Sequence, residues 1–140
     1  MDADCYKLKR NAIFDDTHFI YAKLNNFALQ NIYSLHMKEI SVLELKEKID
    51  NKEDFQLIDV REDFEYEMSN LGGTLIPLAG ILIESDKIAK DKPVIVQCRS
   101  GKRSAIAIMQ LEDKGFTNLY NLKGGILAWQ EAFDPNMPVY

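Results

Sequence analysis

Cysteine and histidine are scarce in this chain: Cys5 and Cys98, His18 and His36, in 140 residues. Two thiols so far apart do not make a disulfide framework, and a reducing, cytoplasmic setting is the default expectation. The four residues are too scattered to assemble a metal-ligand cluster, so neither a metal nor another cofactor is expected. No apolar run approaches the length of a membrane span. Asp15, Asp16 and Lys23 interrupt an N-terminal region that lacks the charged-then-apolar layout of a secretory signal. Internal repeats and low-complexity tracts are absent. A basic excess is absent too, and a net charge of −5 argues against a nucleic-acid partner.

What remains is a globular composition of a length that suits one domain. Residues 1–37 hold four basic and four acidic side chains, whereas residues 38–140 hold 13 basic and 18 acidic and carry the whole imbalance. Three of those 13 basic residues crowd into Arg99–Arg103, a positive focus on an acidic body that would attract small anions.

From Met37 onward the pattern alternates. Ile40-Ser41 is a short apolar entry, and Ser41 with Glu44 fits a capping box before Val42, Leu45 and Ile49 at helical spacing. Gln56–Val60 reads as a buried strand, Arg61–Met68 as a short helix, and Thr74–Leu78 as a third strand after Gly72-Gly73. Ala79–Lys90 is expected to be helical, with Ile81, Leu82 and Ile88 inward. Pro93–Gln97 is a strand, Ser104–Lys114 a helix ended by Gly115, and Asn118–Leu122 the last strand. Gly124-Gly125 then opens a short helix through Trp129 and Phe133. This order predicts an α/β domain over 38–140, with a mainly parallel sheet and helices on both faces. Residues 1–37 stand apart as an N-terminal extension, with one helix expected over about 18–34.

The most informative stretch is Val94-Ile95-Val96-Gln97-Cys98-Arg99-Ser100-Gly101-Lys102-Arg103-Ser104. An apolar strand delivers a cysteine to a short basic loop, and a helix begins after it. Loop amides and the helix dipole favour negative charge there, and Arg99, Lys102 and Arg103 add full positive charges. These are the conditions that make a thiol a nucleophilic thiolate. Phosphotyrosine-type phosphatases separate their cysteine and arginine by five residues to cradle a phosphoryl group. Here only four separate Cys98 from Arg103, a smaller cradle that suits one sulfur or a small anion.

Cys98-Arg99-Ser100-Gly101-Lys102-Arg103 resembles the active loop of the rhodanese sulfurtransferases. The likeness extends over residues 38–140. It takes in Leu57-Ile58-Asp59-Val60-Arg61-Glu62, Glu65-Tyr66, Ile76-Pro77-Leu78, Gly115-Phe116 and Leu122-Lys123-Gly124-Gly125-Ile126-Leu127-Ala128-Trp129. The run from Glu65 to Leu78 and the ending Asp134–Tyr140 further resemble the rhodanese domain fused to ubiquitin-activating-like adenylyltransferases. The usual Gly-His-Ile is replaced here by Ser69-Asn70-Leu71, so no role for that histidine carries over. The resemblance implies a rhodanese-like fold, a central five-stranded sheet flanked by helices, and a persulfide on Cys98. It also implies transfer of sulfane sulfur from thiosulfate or a protein persulfide to a thiophilic acceptor, with a sulfur-carrier protein or a cysteine desulfurase as partner. A non-catalytic redox sensor or interaction module on the same fold is the alternative.

Each loop residue then has an expected part. Backbone amides of residues 99–103 hold the sulfur, and Gly101 permits the tight turn. Arg99 and Arg103 bind anions, unless Arg103 braces the loop through a carboxylate. Lys102 projects into solvent, and Ser100 bonds either the sulfur or the loop backbone. Asp59 and Arg61, at the end of another strand, either support the loop or form a structural pair with Glu62 or Glu65. Trp129 is packing, and Cys5 is either a resolving thiol or a bystander.

Overall fold

The computed structural model describes residues 37–140. The helix expected over 18–34, together with Cys5, His18 and His36, lies outside the described residues.

The first strand, β1 (Glu39–Ile40), leads into helix α1 (Val42–Asp50). Ser41 Oγ accepts from the Glu44 amide at 3.2 Å while the Glu44 carboxylate accepts from the Ser41 amide at 2.8 Å, the expected capping box. Then come β2 (Gln56–Asp59), α2 (Asp63–Met68) and β3 (Thr74–Leu75). They are followed by β4 (Val94–Gln97), α3 (Lys102–Asp113), β5 (Leu119–Leu122) and α4 (Gly125–Phe133). The five strands form one sheet in the order β1-β5-β4-β2-β3, and every pairing is parallel. Beyond the last β3 residue the ladder continues, since Ile76 N–H donates to the Asp59 carbonyl at 2.9 Å and Leu78 N–H to that of Val60 at 3.1 Å.

Both faces of this sheet are covered, as parallel sheets require. On one face Ile58, Val60, Val94, Val96, Cys98 and Leu119 pack with Ala107, Ile108 and Leu111 of α3. On the other, Leu57, Ile95 and Leu122 pack with Leu45 of α1 and with Ala128, Trp129 and Phe133 of α4. Trp129 is therefore packing, its ring 4.7 Å from that of Phe133. Each fully buried aliphatic side chain contributes on the order of 1.5–3 kcal/mol.

Ala79–Lys90 departs from the expected helix. It forms two single 3₁₀ turns, Leu78–Gly80 and Ser85–Lys87, with Ile81 and Ile88 buried and Leu82 exposed. Gly80 weakens a helix here. Ser85 Oγ donates to the Leu82 carbonyl at 3.0 Å, a local bond that competes with helical pairing. The Gln56 side chain then clasps the extended exit, donating to the Lys87 carbonyl at 2.9 Å and accepting from the Ala89 amide at 2.7 Å. That clasp draws Ile88 into the core.

Candidate active site

β4 is buried along its whole length and ends at Gln97, so Cys98 emerges at the carboxyl edge of the sheet. Ligand sites of open α/β sheets lie at that edge. Cys98 is only 1% exposed, and its sulfur sits on the α3 face. Gly101, at φ +98°, is the N-cap of α3 and lets the chain reverse within three residues. Of the loop amides, that of Gly101 donates to Cys98 Sγ, at 3.1 Å. The N-terminal dipole of α3 points the same way.

Helix α4 sets the other side of the loop. The Ile126 and Leu127 amides donate to the Cys98 and Arg99 carbonyls, at 2.9 and 3.1 Å. Those carbonyls face α4, while the Gly101 amide faces the sulfur. The approach needs glycine: a Cβ on Gly125 would stand 2.3 Å from the Cys98 oxygen and 2.5 Å from that of Arg99.

The expected site residues fall into two groups. Arg99, Ser100 and Lys102 are exposed around the loop. Arg99 Nε donates to the Tyr140 carbonyl, and the Tyr140 ring meets Phe64 edge-on at 5.4 Å. Arg103 turns from the sulfur to Glu65, donating through Nη1 at 2.6 Å and Nη2 at 2.8 Å. Hydrogen bonds from Arg103, more than any other cause, hold the Glu65 carboxyl below the ordinary range, and those to Glu65 hold the guanidinium above its own. Of the two readings of Arg103, bracing through a carboxylate is the geometry observed.

Asp59 and Arg61 are a pair by themselves, each 1% exposed. Arg61 Nε and Nη2 donate to the Asp59 carboxylate at 3.0 and 2.8 Å. Its remaining donors reach the carbonyls of Glu65 at 3.3 Å and Ser69 at 2.8 Å. The carboxylate partner of Arg61 is thus Asp59, and not Glu62 or Glu65 as in the structural-pair alternative. The guanidinium ties β2 to the last turn and C-cap of α2, the helix that carries Glu65 to Arg103.

Two polar residues at the site have no part in the sequence reading: Ser104, whose Oγ lies 3.4 Å from Cys98 Sγ, and Asn121, 2.6 Å from Ser104 Oγ. Glu65, which that reading offers only as a partner of the Asp59–Arg61 segment, serves Arg103 instead. Ser104 stands in a helical stripe with Ala107, Ile108 and Leu111, and Asn121 shares a strand face with Leu119. A polar residue on an apolar stripe was the available signal.

The pattern of the rhodanese-like domain matches residues 41–132, more than half of the chain. The chain belongs to the rhodanese-like domain family. It is 35% identical over 94 residues to a protein of Allochromatium vinosum named "Sulfurtransferase", covering 66% of this chain and 88% of that one. It is 34% identical over 106 residues to "Probable adenylyltransferase/sulfurtransferase MoeZ" of Mycobacterium tuberculosis. That match covers 72% of this chain but only 26% of the larger protein. Among solved structures, a rhodanese-like domain protein of Staphylococcus aureus superposes with a TM-score of 0.64 at 31% identity. It covers 74% of this chain and 99% of its own. This is a family with members named sulfurtransferases. No helix among the described residues is long and apolar enough to cross a membrane.

Proposed function

We propose that this protein moves sulfane sulfur through a persulfide on Cys98. The observation that carries the reading is the Gly101 amide on Sγ, at the N-terminus of α3, inside a loop bearing Arg99 and Lys102. Relatives named sulfurtransferases support the same reaction class.

With thiosulfate as donor, the Cys98 thiolate attacks the outer, sulfane sulfur. The new Sγ–S bond forms as the bond to the sulfonate sulfur breaks, and sulfite leaves with the electron pair. A thiolate or cyanide then attacks the sulfane sulfur, and the electron pair of the breaking Sγ–S bond returns to Cys98. This is covalent, ping-pong catalysis with no net redox change. Arg99 and Lys102 draw in the anion, while Arg103 holds the loop through Glu65. Arg99, Tyr140 and Phe64 form one exposed rim, partly basic and partly apolar. That rim suits a protein donor or acceptor, such as a cysteine desulfurase or a sulfur-carrier protein. Reduced thiol chemistry of this kind fits a cytoplasmic setting.

Intact mass tests the reading. Wild type incubated with thiosulfate is expected to gain one sulfur, and Cys98→Ser none. Cyanide should remove that sulfur as thiocyanate. A wild type that gains no sulfur, from thiosulfate or from a persulfidated cysteine desulfurase, would overturn it in favour of the redox module.

A further inference from the structure

Behind Cys98 runs a hydrogen-bond chain whose direction is set by chemistry. An asparagine side chain offers one accepting oxygen and one donating nitrogen. Asn121 Nδ2 lies 3.2 Å from the Gly101 carbonyl, which can only accept. Asn121 Oδ1 must therefore be the atom that faces Ser104 Oγ at 2.6 Å. A carboxamide oxygen cannot donate, so the single hydroxyl proton of Ser104 lies on that bond. Ser104 consequently turns lone pairs, not a proton, toward Cys98 Sγ at 3.4 Å. All three side chains are buried.

The Ser104 contact suits a thiol, whose S–H can donate to it. To a thiolate it offers no donor beside the Gly101 amide. The charge on Sγ changes during sulfur transfer. It is negative in the attacking thiolate, near zero once Sγ is bonded to the sulfane sulfur, and negative again as the acceptor takes that sulfur. Rotation about the Ser104 Cβ–Oγ bond is enough to bring the hydroxyl proton to Sγ, with no backbone movement. The bond lost is neutral and the bond gained is to an anion, which is the stronger kind.

We propose that Ser104 is a second catalytic residue whose hydroxyl proton alternates between Asn121 Oδ1 and Cys98 Sγ. Asn121 is the positioning residue that sets the balance. The thiol-to-thiolate half of the proposal stands on the geometry alone, and the transfer half rests on the persulfide reading.

The two residues should therefore have opposite effects on Cys98, although they are bonded to each other. Ser104→Ala removes the side-chain donor to the thiolate. Asn121→Leu removes the acceptor that competes for the same proton. The test is the rate of Cys98 alkylation by iodoacetamide at pH 7 in a Cys5→Ser background, which leaves Cys98 as the single thiol. Ser104→Ala is expected to react about tenfold more slowly, the size of one hydrogen bond to a charged group. Asn121→Leu is expected to react several-fold faster. In the double variant the Asn121 effect should vanish, because no hydroxyl is left to release. Thermal unfolding of each variant shows that it is folded, and Asn121→Ala replaces Asn121→Leu if leucine does not fit. Slower alkylation of the folded Asn121 variant would overturn the proposal. So would acceleration that persists without the Ser104 hydroxyl, or rates unchanged by both substitutions. Alkylation needs no sulfur donor, so this outcome is independent of whether thiosulfate loads Cys98.

Discussion

Arg103 and Glu65 meet end-on, Nη1 and Nη2 each donating to one carboxylate oxygen, at 2.6 and 2.8 Å. Glu65 is 3% exposed and its partner 30%. The charge that ends the cysteine loop is thus committed to helix α2 and fixes the loop in place. On the proposed function, attraction of a substrate anion falls to Arg99 and Lys102, which are exposed.

That pairing makes stability depend on pH. The folded Glu65 carboxyl titrates below the unfolded value of about 4.3. Between the two values the unfolded chain binds more protons, so this part of the stability is complete above about pH 5 and is lost as the pH falls through the folded value. Glu65→Gln should cost about 2 kcal/mol at pH 7, the worth of charged hydrogen bonds replaced by a neutral one. Urea unfolding at pH 7 and pH 4 should show the gap between wild type and variant narrowing in acid. A gap that stays constant would mean the ion pair contributes nothing through its charge.

Arg61 and Asp59 form a second pair, and here both partners are fully buried. Arg61→Met leaves the Asp59 carboxylate without a counter-charge and should cost about 3–5 kcal/mol. Adding Asp59→Asn should recover part of that loss. Equilibrium unfolding of the two single variants and the double checks it, and simple additivity would contradict the pairing.

Gly125 should tolerate no side chain. Its φ is +59°, and an added Cβ would collide with the Cys98 and Arg99 carbonyls. Gly125→Ala is expected to cost about 3 kcal/mol and to slow Cys98 alkylation, because the loop must shift away from α4. Gly115→Ala is the control. Its φ is +94° with nothing within 4 Å of the added Cβ, so it should cost only about 1–2 kcal/mol and leave Cys98 reactivity unchanged. Equal effects of the two on alkylation would show that the α4 contact does not set the loop.

Arg99→Ala and Lys102→Ala should each raise the KM for thiosulfate about two- to fivefold, with a smaller effect on kcat, because exposed charges act mainly on encounter. The difference from wild type should shrink as salt rises from 0.05 to about 0.5 M, where the Debye length falls to a few ångströms. Steady-state kinetics at the two salt concentrations decide it. A kcat loss insensitive to salt would place these side chains on the reacting sulfur instead.

Much of this was legible locally. Ser41 and Glu44 are three residues apart, and the bonds they exchange need only the helix between them. β4 announced itself as an apolar run because a central strand of a parallel sheet covered on both faces asks for one. The Cys98 loop could be read because its cysteine, glycine and basic residues are contiguous. Ala79–Lys90 departs from its helical pattern through Gly80 and the Ser85–Leu82 bond, and its exit is shaped by a clasp from Gln56, on another strand.

The sequence by itself determined the alternation of strands and helices, the family, and the cysteine that the loop presents. The alternation follows from periodicity and short-range hydrogen bonding within a few consecutive residues, whereas the family and its cysteine are carried by the resemblance of contiguous motifs. Only the tertiary structure decided which carboxylate each arginine would take, Glu65 for Arg103 and Asp59 for Arg61. It alone brought Ser104 and Asn121 behind the sulfur and laid Gly125 against the Cys98 carbonyl. Charged and polar groups have many candidate partners along a chain. Their energies depend on distances of about 3 Å and on exclusion from water, which exist only once the sheet and helices have packed.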